Sequence, residues 1–145
     1  MAKEKRFIFL SDKFYNDYPY LQYPEIEQKK QRPYIQVLTR INGILFAIPL
    51  RSHINHPFVL WTDKENHCGL DFSKAVVISD PEYIDLSTTP YIRPKEFDEL
   101  RGKDYRIYQK MIQYIKKYKK AKNKTDAISV NLVRVSTLQY FEEYL

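Results

Sequence analysis

Arg51, Ser52 and His53 stand side by side and combine a permanent cation, a hydroxyl and an imidazole that exchanges protons near neutral pH. Phosphodiester cleavage of RNA asks for little more. The substrate carries its own nucleophile, the 2′-OH, so a protein need only align it, take its proton, stabilise charge on the phosphate oxygens and protonate the leaving 5′-oxygen. In such a reaction Arg51 would grip phosphate through paired N–H donors, Ser52 would donate to a phosphate oxygen, and His53 would move protons. The same three residues also make an ordinary polar loop, and the tripeptide alone does not choose between the two. Other chemistries fit less well. His53-x-x-His56 and His67-Cys68 supply four atoms that zinc accepts, but their spacing matches no standard zinc site and adjacent residues ligate one ion poorly. Ser52 lacks the flanking glycines of a strained nucleophile elbow, and the whole chain has only 3 glycines.

The elements that would position this tripeptide are legible around it. Residues 34–39 and 44–48 are rich in β-branched and aromatic side chains, and Asn42-Gly43 between them suits the positive φ angles of a type I′ turn, which predicts a hairpin. Pro49 is expected to end the second strand, because proline offers no ladder donor, and to release the chain into the polar loop 51–56. Residues 6–10 read as another strand, followed at Ser11-Asp12 by a short helix or turn, while 58–61, 75–78 and 130–135 read as further strands, with 64–70 as a loop. Helical periodicity comes late. Tyr105, Tyr108, Ile112 and Ile115, with Met111, Tyr114 and Tyr118 beside them, predict one helix over 104–120 with an apolar stripe facing the core. Ser136 followed by Gln139 resembles a capping box opening a terminal helix through Tyr144. The expected architecture is α+β: a twisted, mainly antiparallel sheet with helices packed against it.

Charge is unevenly spread along this framework. The 145 residues carry a net charge of +6, and the stretch 93–124 holds 12 Lys/Arg against 4 Asp/Glu. Tyrosines are interleaved with those lysines, a pattern suited to a polyanion and more to RNA, whose unpaired bases stack on exposed rings, than to duplex DNA. Its plainer reading is a solvated helix face. The length fits a single domain, 1–145, and the one cysteine, Cys68, forbids an internal disulfide. The longest apolar run, 44–50, is too short to cross a bilayer and the N-terminus has no secretory core, so a cytoplasmic protein without membrane contact is expected.

The run Arg32-Pro33-Tyr34-Ile35-Gln36-Val37-Leu38, then Ile41-Asn42-Gly43, then Phe46-Ala47-Ile48-Pro49-Leu50-Arg51-Ser52, resembles the core of the ToxN/AbiQ family, endoribonuclease toxins of type III toxin–antitoxin systems, and is most similar to its CptN-like branch. Thr89-Pro90-Tyr91 followed by a long Tyr- and Lys-rich helix resembles their C-terminal half, so the likeness covers nearly the whole chain. It implies a compact barrel-like sheet similar to the MazF/Kid toxins and sequence-preferring, cofactor-free and metal-independent cleavage of mRNA to a 2′,3′-cyclic phosphate. It also implies inhibition by a small structured antitoxin RNA, encoded by upstream tandem repeats, with which the protein closes into a ring. Ser52 matches the family's loop serine, Arg51 stands where threonine is common, and Arg32 stands where a lysine often precedes the strand. The loop lysine two places after the serine is Ile54 in this chain, and the upstream tyrosine is Gln28 or is supplied by Tyr23. Proton transfer and charge stabilisation therefore fall to His53 and Arg51, with Arg32 as the fourth catalytic candidate. Lys29, Lys30, Tyr23, Lys110, Lys116, Lys117 and Lys120 are assigned to RNA binding. The rival reading is a non-catalytic RNA-binding module that uses the same basic helix.

Overall fold

The computed structural model describes residues 6–28 and 33–145. Strand β1 (Phe7–Leu10) turns Ile8 and Leu10 inward on alternate positions, and Ser11 then caps helix α1 (Asp12–Asp17) by accepting from the Phe14 N–H, which seats the Phe14 ring in the core. Strands β2 (Gln36–Ile41) and β3 (Ile44–Arg51) form the expected hairpin, with Asn42 at φ 50° and Gly43 at φ 81° in the two-residue turn. Pro49 does not end β3. It pairs in register with Gln36, the next residue's N–H still reaches the Ile35 carbonyl, and the strand runs on to Arg51 by pairing with a different neighbour.

That neighbour is β5 (Cys68–Asp71), which forms a hairpin with β4 (Val59–Asp63) where a plain loop over 64–70 was expected. All four β5 residues are buried, so the strand shows no alternation, and a Gly and an Asp within it mask its character. Two short strands, β6 (Val76–Val77) and β7 (Ile84–Asp85), complete a seven-stranded antiparallel sheet in the order β4-β5-β3-β2-β1-β7, with β6 paired to β3. The architecture is thus α+β with a mainly antiparallel sheet, as expected. The sheet does not close into a barrel: its path is open, with β4 and β7 at its ends.

The helices depart from expectation in four places. Helix α2 (Pro94–Leu100) has no strong periodicity and went unread; it starts with Pro at its first position and lies on β4, where Thr62 donates a 2.6 Å hydrogen bond to buried Glu96. Helix α3 (Asp104–Lys122) is where expected, but its buried seam is Ile107, Met111, Tyr114, Tyr118 and Ala121. Tyr105 lies outside that seam, 69% exposed, because the helix turns its more apolar flank toward β2. Residues 130–135 are not a strand but the body of α4 (Ala127–Val135): the Asp126 carboxylate accepts from the Ser129 N–H and starts a helix through the valines. Nor do Ser136 and Gln139 make a reciprocal capping box. Ser136 Oγ accepts from the Leu138 N–H and opens the first of two 3₁₀ turns, whereas the Gln139 amide reaches back to the carbonyls of Arg134 and Ser136 and closes the end of α4. Among the described residues no helix is long and apolar enough to cross a membrane.

Gly69 is the point of closest approach in the sheet. It pairs with Arg51 on one side and Trp61 on the other, and a Cβ there would lie 2.8 Å from Val59 Cγ2 and collide with the Leu60 carbonyl oxygen. Gly69→Ala is therefore expected to cost about 2 kcal/mol by overpacking, read as a lower midpoint in urea unfolding. An unchanged midpoint would show that β4 moves aside freely.

Candidate functional site

Asp71, at the end of β5, is fully buried, and every group around it answers its charge. One carboxylate oxygen accepts from the Arg51 guanidinium; the other accepts from Ser73 Oγ at 2.6 Å, the Ser73 N–H at 3.0 Å and His56 Nε2 at 3.0 Å. Burial alone would favour the protonated acid. The hydrogen bonds from His56 and Ser73, with the Arg51 charge, outweigh it and hold the Asp71 carboxyl below its ordinary range. Arg51 binds a second carboxylate, Glu27, which also accepts a 2.8 Å hydrogen bond from the Tyr34 hydroxyl. These two acids keep the guanidinium firmly charged despite its burial.

This network fixes the polar loop that leaves β3. Arg51 pins its first residue. Ile54 is buried in the middle, exchanging hydrogen bonds with His67 of the β4–β5 turn: the Ile54 N–H reaches the His67 carbonyl, and His67 Nδ1 donates to the Ile54 carbonyl. His56 pins the far end, because its Nδ1 accepts the Phe58 N–H, which leaves the proton on Nε2 to face Asp71. Between these three anchors Ser52, His53 and Asn55 are exposed. Ser52 Oγ and His53 Nδ1 are hydrogen-bonded at 3.0 Å, and His53 sits in the left-handed region at φ 58°, a conformation that costs a non-glycine residue about 1 kcal/mol. Strain of this kind is found at functional sites as well as in turns, where Asn42 and His67 share it.

The expected cluster is only partly assembled. Ser52 and His53 meet, whereas the Arg51 side chain is committed to Glu27 and Asp71. Arg32, Lys29 and Lys30 lie outside the described residues. Tyr23 packs edge-on against Tyr18 and Tyr140, in the aromatic layer under α1. Helix α3 divides its basic residues between faces. Lys110 and Lys117 turn toward the Pro57-Phe58 segment that follows the loop, lining an open cleft with Gln113 and Tyr114, while Lys116 faces the hairpin turn at Asn42 and Lys120 is exposed to solvent. His56, His67 and Cys68 serve separate hydrogen bonds, and among the described residues no three His, Cys, Asp or Glu side chains converge.

Sequence reasoning missed Glu27, Asp71 and Ser73, and weighed His56 only as a zinc donor. The one available signal was Asp71-Phe72-Ser73, an Asx-type cap in which the carboxylate accepts the N–H two residues on. No protein-family model, curated protein or solved structure matches the chain.

Because the Asp71 carboxyl titrates lower in the fold than in the unfolded chain, it stabilises the protein above about pH 4 and that contribution is lost as pH falls through the native value. Asp71→Asn leaves Arg51 half-paired and is expected to cost about 3 kcal/mol at pH 7, a difference that shrinks steadily as unfolding is followed below pH 4. A gap between variant and parent that stays constant down to pH 2 would contradict the assignment.

Proposed function

We propose that this chain is a metal-independent endoribonuclease toxin, held inactive by a small structured RNA. The observation that carries the reading is the Ser52–His53 pair, displayed on a loop clamped at Arg51, Ile54 and His56, with the basic face of α3 beside the loop's end. The sequence resemblance to the ToxN/AbiQ toxins supports it, and so does the mainly antiparallel α+β fold, although the sheet is open.

The chemistry follows from the geometry. A 2′-OH attacks the neighbouring phosphorus, its proton passes to a base, the P–O5′ bond breaks, and the 5′-oxygen leaves with a proton, giving a 2′,3′-cyclic phosphate and a 5′-hydroxyl. When Nδ1 donates to Ser52, Nε2 is bare and is the base; once it has taken the 2′-OH proton both ring nitrogens are donors, and the imidazolium passes that proton to the leaving 5′-oxygen. The Ser52 hydroxyl otherwise turns to a phosphate oxygen. Charge on the phosphate is met by Lys110 and Lys117, and the sequence resemblance adds Arg32, which lies outside the described residues. Arg51 is a positioning residue, holding the loop through Asp71 and Glu27. A structured antitoxin RNA laid along α3 and over the loop would block the site, and the lysines on a second face of α3, Lys116 among them, would let one RNA touch two protein copies and close a ring.

Purified protein freed of bound RNA is expected to cut single-stranded RNA with EDTA present and to leave cyclic phosphate ends, and Ser52→Ala is expected to slow cleavage about 100-fold. A strict need for a divalent ion contradicts the metal-independent mechanism, and binding without any cleavage favours the non-catalytic RNA-binding module. His53→Gly separates side chain from backbone: it removes the φ strain and is expected to raise stability by about 1 kcal/mol while cutting the rate at least about 100-fold. A His53→Gly variant that cleaves at the parent rate would remove His53 from the mechanism. Expressed with its upstream DNA, the protein is expected to purify with a discrete short RNA; recovery as an RNA-free monomer would refute the partner and the ring.

A further inference from the structure

Lys117 Nζ lies 5.5 Å from the centre of the Phe58 ring, and that ring is backed by Tyr114 at 5.4 Å and His56 at 5.7 Å. Phe58 is half-buried and held in place from behind by these neighbours, with Pro57 exposed at its rim. Opposite, Lys110 and Gln113 on α3 complete an open cleft of about 210 Å³, less than the roughly 300 Å³ at which small-molecule pockets begin. This is room for a planar fragment of a longer chain rather than for a whole free ligand.

Among the described residues no acid answers the two lysine charges in the cleft, although Lys117 already lies over the Phe58 ring. Lys13, Lys74, Lys95, Lys103 and Lys122 each hold a carboxylate, whereas among the described residues no carboxylate pairs with Lys110 or Lys117. Burial and the nearby Arg106 depress the Lys110 ammonium, so an incoming anion would relieve both effects. Gln113, between the two lysines on the same helix face, brings one donor and one acceptor group to the cleft. A flat apolar ring, two cations with no carboxylate partner among the described residues and a side-chain amide are the parts needed to stack a base, hold its phosphates and read its edge.

We propose that this cleft is a base-binding subsite for single-stranded RNA, in which a base packs against Pro57 and Phe58, Lys110 and Lys117 take the flanking phosphates, and Gln113 selects the base. It rests on the ribonuclease reading, since it would set which step of the RNA reaches Ser52 and His53. The loop anchor His56 packs on the same Phe58 ring, so the subsite and the loop are held by one network.

The test uses short single-stranded oligonucleotides with 2′-deoxy sugars, which cannot be cleaved through a 2′-OH, and reads binding by fluorescence anisotropy. The double variant Lys110→Gln/Lys117→Gln is expected to weaken binding at least tenfold at low salt. Its plot of log affinity against log salt should be shallower by about 1.4, from roughly 0.7 for each of two phosphate contacts. Gln113→Ala is expected to reduce discrimination among oligonucleotides differing at one base by about tenfold, with far-ultraviolet circular dichroism confirming the fold. Phe58→Leu, which keeps the apolar packing and loses the ring, is expected to weaken binding about tenfold. An unchanged salt slope together with unchanged base preference overturns the proposal, as does an acidic peptide of matched charge that competes as well as RNA. If these binding effects appear while ribo-substrates are never cut, the ribonuclease reading fails and the subsite stands.

Discussion

One buried carboxylate organises this molecule. A charge taken out of water costs several kcal/mol unless its surroundings replace the lost hydration, and Asp71 recovers that cost by drawing in Arg51 and His56 from the two ends of one loop and Ser73 from the turn that follows its own strand. Each of those residues carries a piece of chain with it. Arg51 brings the end of β3 and, through Glu27, the segment before β2; His56 brings the far end of the loop and the Phe58 ring; Ser73 brings the turn on which the C-terminal residues rest, where the Thr137 hydroxyl donates to its carbonyl. The loop is rigid because its polar residues are needed to neutralise an acid, and its exposed residues are those left between the anchors.

This arrangement changes the meaning of the tripeptide. Arg51 has the type of a phosphate-binding residue and the position of a strand end, but its guanidinium already faces two acids. Ser52 and His53 have no such commitment, and their mutual hydrogen bond is the part of the cluster that faces solvent. In the proposed mechanism the cation that a phosphate needs comes from α3, where Lys110 and Lys117, which have no acidic partner among the described residues, come up against the segment just beyond the loop. In the proposed mechanism the loop handles protons and the helix handles charge, and the two are joined through Phe58.

Much of the fold was legible because local patterning and tertiary structure agree: the Asn42-Gly43 hairpin, the Ser11 cap and the long basic helix each follow from short-range chemistry. The misreadings share a cause. β5 is buried on both faces and carries Gly69 and Asp71, so it shows neither alternation nor β-prone composition, while the valines of α4 have strand composition but follow a helix cap at Asp126. Pro49 reads as a strand end unless the change of pairing partner from β2 to β5 is known. The site suffered most. Ser52 and His53 stand out because they are adjacent and polar, whereas Glu27, Asp71 and Ser73 come from 24 or 20 residues away from Arg51, or pair only with what those bring in. Their relation exists only in three dimensions.

The central claim is that the nucleophile belongs to the substrate, with the Ser52–His53 loop serving its proton and its phosphate. The most direct measurement compares two RNAs that are identical except for one 2′-hydrogen in place of the hydroxyl at the cleaved step. The account predicts that the all-ribose strand is cut there and that the substituted strand is not, while both bind equally. Cleavage of the substituted strand at a similar rate would contradict it, because the attacking group would then have to come from water or from the protein.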